Sequence, residues 1–194
     1  MSAKKKTNPK KYMYAAFVAL GLGFAGESLS EHSHEGSKVS RWEVKVLADD
    51  EAHDIDYLPE ETTLHWLVTQ KTQKGSEKKP RQQIELKTYK IECTIDEFLY
   101  EDDGDVHLVL KSGNETMIGE IPFPYYPTAD QSGFKSKFKK ARKQFHKIVD
   151  NDKNYKTKTV IITGVGFIDK EHDQTGRAEN NLELHPVLSI ELKH

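Results

Sequence analysis

The chain has 194 residues, of which 29 are basic and 31 acidic, so its formal net charge is −2 at pH 7. Cys93 is the only cysteine, which excludes an intramolecular disulfide and leaves stability to a hydrophobic core. Because phosphates are held mainly by Lys and Arg, the acidic balance makes nucleic acid an improbable partner.

The N-terminus carries the pattern of an export signal. Five lysines precede a short apolar run over 12–26, and no acidic residue occurs before Glu27. This arrangement is typical of a secretory signal, and the run is shorter than the roughly 20 residues that span a bilayer. We therefore predict a signal peptide over 1–25, export to the periplasm or the extracellular space, and no stable membrane span after cleavage; a disordered or helical cytosolic N-terminus is the alternative. Cleavage would leave 24 basic against 31 acidic residues, a net charge near −7.

The next segments are predicted to precede the main domain. Residues 26–40 are polar without an apolar period and indicate a tether. We interpret 41–83 as an N-terminal extension and charged linker. Within it, 41–47 alternates like a strand, and 61–69 can form one or two helical turns. Residues 71–83 contain no apolar side chain, which favours a solvated linker.

Three strands are predicted at the start of the main domain, 84–194. The first, 84–100, is long, and its alternation breaks at Phe98 and Leu99, as at a bulge. An Asp-Gly hairpin signal leads to a second strand over 105–111, and a third follows over 116–121. The inward side of the first strand is predicted to carry Tyr89, Ile91, Cys93 and Ile95.

A helix and two further strands complete the predicted fold. Apolar residues at helical spacing over 134–149 indicate one amphipathic helix, and strands follow over 159–168 and 182–192. Three strands, a helix and two strands, with a long bent first strand, is the order of a small five-stranded Greek-key barrel, the OB-fold. The predicted class is therefore mainly β, with the helix between strands three and four; an open α+β sheet and a different small barrel are the alternatives.

The candidate site follows from this topology. In an OB-fold the loops after strands one and four flank the ligand face. Here they are the polar segments 101–104 and 169–181, and alternation directs polar side chains of strands two and five to the outer, solvent side. The predicted ligand-binding residues on this rim are Asp103, Asp105, His107, His172, Gln174, Asn180, Glu183 and His185.

Two functions are compatible with such a rim. One is a non-enzymatic binding module for a polar ligand, such as a saccharide, an oligonucleotide or a protein segment. The alternative is a metal-dependent, nuclease-like hydrolase that uses the same histidines and carboxylates. The sequence contains no specific catalytic, cofactor or zinc-finger motif, so we predict the binding module and assign no cofactor and no metal. A purely structural role for these side chains also remains open.

Four segments carry a resemblance to a group of exported bacterial proteins without an assigned function. Members of that group have versions of DxDxHLVL, TMIAEIP, HGQTG and ELHPVL, and the similarity runs from about Trp42 to the C-terminus. This chain departs at Gly119, where the group has Ala, at Asp173, where it has Gly, and in a more basic helix. The resemblance implies bacterial export and a barrel domain, without a substrate. The matching residues are Asp105, His107, Leu108, Thr116, Met117, Glu120, Ile121, Pro122, His172, Gln174, Thr175, Gly176, Asn180, Glu183, Leu184, His185 and Pro186.

Overall fold

The computed structural model describes residues 41–73, 80–171 and 173–194. The predicted signal peptide and tether lie outside these residues. None of the helices in the described ranges has the length and apolar character needed to cross a bilayer.

Three helices and six strands make up the described chain, joined by short 3₁₀ turns. They are α1 (Arg41–Lys45), β1 (Asp56–Glu61), α2 (Leu64–Thr69), β2 (Lys87–Tyr100), β3 (Val106–Ser112), β4 (Glu115–Ile121), α3 (Lys135–Val149), β5 (Val160–Ile168) and β6 (Leu182–Leu192).

Five of the strands close into a barrel. Their order is β2-β3-β4-β6-β5, and β5 pairs back onto β2. The β4–β6 pair is parallel, and the other pairs in the ring are antiparallel. With α3 between β4 and β5, this is the predicted OB-fold, and the predicted fold class is confirmed.

Closure depends on the length of β2. Its first half pairs with β5 from Thr88 to Cys93, and its second half pairs with β3 from Thr94 onward. The register shifts between Ile95 and Glu97, so the bulge lies just before the position where the sequence pattern breaks. A bulge bends a strand and increases its twist, which lets β2 serve two neighbours.

The barrel interior contains the predicted alternating residues. Tyr89, Ile91, Cys93 and Ile95 are all 4% exposed or less. From α3, Ala141, Phe145 and Ile148 join this core, while Phe138 packs in a second cluster with Val46, Leu47, Ile55, Ala129, Val165 and Leu188. The inward face of the first strand and the apolar stripe of the helix are therefore as predicted.

The segment before the barrel packs onto it through a short helix. The strand predicted over 41–47 is wrong: residues 41–45 form α1, and the chain turns at Leu47, whose φ is 58°. An alternating pattern over so few residues does not distinguish a strand from a short helix. The side-chain contacts of the segment determine which one forms. Trp42 donates a hydrogen bond from Nε1 to Thr128 Oγ1 at 3.0 Å and packs against the Tyr126 ring at 4.6 Å.

Arg81 fixes this segment to the barrel. It lies in the predicted charged linker, yet its side chain is fully buried with that of Asp49. The guanidinium donates to Asp49 Oδ1 at 2.6 Å and to the Val44 carbonyl at 3.0 Å. The pair therefore ties the chain just after α1 to the chain just before β2.

Candidate functional site

Four of the predicted rim residues form a buried cluster outside the barrel core. Asp105 and His107 are 2% and 1% exposed, and Glu183 and His185 are 1% and 0% exposed. The prediction that they face solvent is wrong, although the side of the sheet is right. Alternation reports only which side a residue faces. Here the residues around α1 and the loop 173–181 cover that side.

His107 is held between two acceptors. Its Nδ1 lies 3.2 Å from Glu120 Oε1, and its Nε2 lies 3.0 Å from the Thr175 carbonyl oxygen. Burial acts to lower the pKa of His107, but the Glu120 hydrogen bond and the Thr175 carbonyl outweigh it and raise that pKa. With acceptors at both nitrogens, the ring is set up to be a cation.

Glu120 is the centre of the cluster. It lies directly opposite His107 in the β3–β4 hairpin. Its Oε2 is 2.9 Å from His185 Nδ1 and 3.8 Å from Lys45 Nζ. Burial would raise its pKa, but His185, the His107 hydrogen bond and Lys45 hold the pKa of Glu120 well below the usual range. Glu120 was not among the predicted site residues; a Glu within the apolar run at the end of β4, in hairpin register with His107, was the available signal.

His185 lies between two carboxylates. Its Nε2 is 3.6 Å from Asp105 Oδ2 and its Nδ1 is 2.9 Å from Glu120 Oε2, so both carboxylates lie within ion-pair distance of the ring. Among the described residues neither ring nitrogen has a hydrogen-bond partner. Asp105 accepts the Phe123 N–H at 2.6 Å through Oδ1, and burial raises the pKa of Asp105 to about 6.

Lys45 and Glu183 adjust the charge of the cluster. Lys45 Nζ is 3.6 Å from Asp169 Oδ2, and the nearby carboxylates, Glu120 first, raise its pKa against the effect of burial. Burial and then the Glu120 and Asp169 charges raise the pKa of Glu183 well above its usual range. Burial therefore favours the protonated form of Glu183.

The remaining predicted residues have other contacts. Asp103 accepts the Asp105 N–H at 3.0 Å and shapes the turn. Gln174 donates from Nε2 to Glu101 Oε1 at 3.3 Å, at the edge of the cluster. Asn180 donates to the carbonyls of Leu67 and Gln70, so it attaches the loop to α2 rather than lining the site. His172 lies outside the described residues.

Two overlapping groups have the spacing of metal ligands. One is Glu101, His107 and Glu120; the other is Asp105, Glu120 and His185, and in each the donor atoms lie within 4.8 Å of one another. The second is fully buried. Imidazole and carboxylate donors suit first-row divalent ions.

A second candidate surface is the outer side of α3. The helix carries seven Lys and Arg residues and no acidic residue in its 15 positions. We call Lys135, Lys139, Arg142 and His146 the α3 stripe, because their i, i+4, i+7, i+11 spacing places them on one face.

Exposed aromatic rings stand at both ends of the α3 stripe. Tyr125 is 63% exposed, and Lys139 Nζ lies 4.8 Å from the centre of its ring. Tyr100 is 56% exposed and stacks on His146 at 6.3 Å. Arg142 donates to the Gly104 carbonyl at 2.9 Å, so the stripe borders the predicted rim loop 101–104.

Comparison with known proteins gives fold-level likeness only. No protein-family model and no curated protein matches the chain. Solved structures with some likeness include a putative aspartyl-tRNA synthetase from Leishmania major Friedlin, at 12% identity, and the asparaginyl-tRNA synthetase of Entamoeba histolytica, at 8%. Each has a TM-score of 0.40 over 71% of this chain, which spans 21% and 24% of those chains.

The prediction that nucleic acid is an improbable partner is contradicted by the distribution of charge in this chain. The prediction used the net charge of the whole chain. Association with a polyanion depends on the local field of one surface instead, and α3 concentrates seven positive charges on one element.

Proposed function

We propose that this chain is an exported, non-enzymatic binding module that holds a single-stranded oligonucleotide along the α3 stripe. The observation that carries the proposal is the combination of a helix without acidic residues and exposed rings beside it. Proteins that bind single strands combine cations, which contact phosphates, with aromatic side chains, on which bases stack. Tyr125 and Lys139, whose Nζ lies 4.8 Å from the centre of that ring, supply both.

The loop 101–104 limits this surface on one side. It carries Glu101, Asp102 and Asp103, which repel phosphates. A bound strand would therefore follow the helix and stack on Tyr125 and Tyr100, with the acidic loop as a boundary. Of the predicted rim, loop 101–104 is therefore the part that would border the bound strand.

The position of the buried cluster favours binding over hydrolysis. A hydrolase must bring its substrate within bonding distance of the groups that activate water. Asp105, Glu183 and His185 are at most 2% exposed, beneath the chain's own covering segments. An oligonucleotide on the α3 stripe would not reach them.

Fluorescence anisotropy with a labelled oligothymidine tests the proposal. We expect binding that weakens as salt rises. Tyr125→Ala should weaken binding with an unchanged salt slope, because it removes stacking alone, while Lys139→Gln should lower the slope by about 0.7. The charge-matched control is Lys111→Gln, which removes a lysine at the far end of β3. Absence of binding at low salt, or an equal loss in the control, would overturn the proposal.

Export is tested separately. The lysine-rich start, the apolar run and the resemblance to exported bacterial proteins support a mature chain that begins near Gly26. Intact-mass measurement on protein from the envelope fraction of a bacterial host should give that mature mass. Recovery of the full-length chain from the cytosol would contradict export and leave the binding proposal standing.

A further inference from the structure

We infer that Asp105, Glu120 and His185 hold one divalent first-row metal ion, such as Zn²⁺ or Mn²⁺, where the chain entering β3 meets β4 and β6. All three side chains are at most 2% exposed, and their donor atoms lie within 4.8 Å of one another. The expected role of the ion is structural, because the chain itself covers the site.

Unpaired buried atoms point to a missing partner. Glu120 Oε2, Glu183 Oε2 and both ring nitrogens of His185 are buried without a hydrogen bond among the described residues. Buried polar groups are nearly always paired, and several exceptions in one place call for an explanation such as an ion. These exceptions belong to adjacent members of one cluster.

The charge of the cluster also favours a cation. Three buried carboxylates, those of Asp105, Glu120 and Glu183, belong to it, and those of Glu101 and Asp169 border it through His107 and Lys45. Facing these five carboxylates is Lys45, whose Nζ lies 3.8 Å from Glu120 Oε2 and 3.6 Å from Asp169 Oδ2. Buried carboxylates need compensation to remain ionised, and a divalent ion supplies it.

Hydrogen bonding distinguishes the two candidate ligand groups. Both nitrogens of His107 are already hydrogen-bonded, to Glu120 and to the Thr175 carbonyl, so neither is open to a metal in this arrangement. Neither nitrogen of His185 is hydrogen-bonded among the described residues, and the nearest carboxylate oxygens, Glu120 Oε2 at 2.9 Å from Nδ1 and Asp105 Oδ2 at 3.6 Å from Nε2, belong to the other two proposed ligands. Asp105 and Glu120 each use one oxygen, toward Phe123 N–H and His107, and keep the second oxygen near His185.

Metal-loaded refolding tests the inference. The full chain, with His32→Gln and His34→Gln to remove the tether histidines, is unfolded with a chelator and refolded with or without Zn²⁺. We expect one retained ion per chain and a higher melting temperature, because an ion that binds only the folded state stabilises it. Refolding with Co²⁺ should give visible absorption bands from the bound ion.

Three variants locate the site. Asp105→Asn keeps the Oδ1 acceptor for Phe123, and both it and His185→Gln should lose the retained ion and the Co²⁺ bands. His65→Gln removes an exposed histidine paired with Glu115 and should keep both. No retained ion in any protein would overturn the inference. Equal metal retention in all variants would show that the ion is not held by Asp105, Glu120 and His185.

Discussion

At the residue scale, the β3–β4 hairpin places His107 and Glu120 directly opposite each other on the covered side of the sheet. Such a pair is stable in a buried place only if its charges and hydrogen bonds are satisfied. The Thr175 carbonyl and Lys45 serve this purpose, and they come from the two segments that cover the sheet. The polar cluster and its cover are therefore interdependent.

The close approach of the covering loop to β3 leads to a first prediction. A Cβ on Gly176 would lie 2.7 Å from Val109 Cγ1, and its φ is +85°. Gly113 also has a positive φ, +60°, but open space around it. Gly113→Ala should cost about 1 to 2 kcal/mol from backbone strain alone. Gly176→Ala should cost about 1 to 3 kcal/mol more because it also overpacks against Val109.

Chemical denaturation of the two glycine variants provides the measurement. Equal losses of unfolding free energy would mean that the loop does not rest on β3.

At the residue scale, the sequence predicted which side of the sheet the polar residues occupy, but not that other segments of the chain cover that side. Alternation placed Asp105, His107, Glu183 and His185 on one outer surface, and they do lie there. It could not show that Lys45 and the loop bury them, because burial by distant segments leaves no local pattern. Glu120 was missed as a site residue because its role arises from contacts across strands.

At the element scale, long periodic segments were predictable and short ones were not. The strand predicted over 182–192 is observed as Leu182–Leu192, and the helix predicted over 134–149 as Lys135–Val149. In such segments many residues follow the period of a strand or of a helix, so the assignment does not depend on any one of them. The five-residue α1 has no such redundancy, and its contacts with distant residues decide its form.

The inward face of β6 gives a prediction at the element scale. Leu184 is fully buried, so Leu184→Asp should unfold the barrel, since an unpaired buried charge costs several kcal/mol against a total stability of about 5 to 15 kcal/mol. Phe138→Asp, also fully buried, should do the same. Leu192 on the same strand is 39% exposed, so Leu192→Asp is the matched control and should remain folded.

Thermal unfolding monitored by circular dichroism separates these outcomes. A Leu184→Asp protein that kept the wild-type melting temperature would refute the inward assignment of that face.

At the scale of the whole molecule, the segment before β2 behaves as part of the barrel's structure. Leu64 and Leu67 of α2 join the main core, and β1 pairs in parallel with β2. The buried Arg81–Asp49 pair connects the two ends of this segment. Charge-rich composition in the linker concealed this role, because a single buried Arg looks the same in sequence as a solvated one.

Breaking the buried pair should destabilise the whole fold. Arg81→Leu leaves Asp49 buried without its partner, and we expect a loss of about 3 to 5 kcal/mol in unfolding free energy. Lys90→Leu, which removes the exposed Lys90–Glu61 pair, is the control and should leave the melting temperature unchanged. If denaturant titration gave Arg81→Leu the same free energy of unfolding as the wild-type protein, the segment would be dispensable for stability.

The central claim is that the α3 stripe binds a single-stranded oligonucleotide, and amide chemical-shift mapping tests it most directly. On titration of labelled protein with oligothymidine, we predict shifts concentrated at Lys139, Arg142, His146 and Tyr125. Shifts centred instead on the 660 Å³ cleft beside Trp66 and Lys87, or no shifts at low salt, would contradict the account.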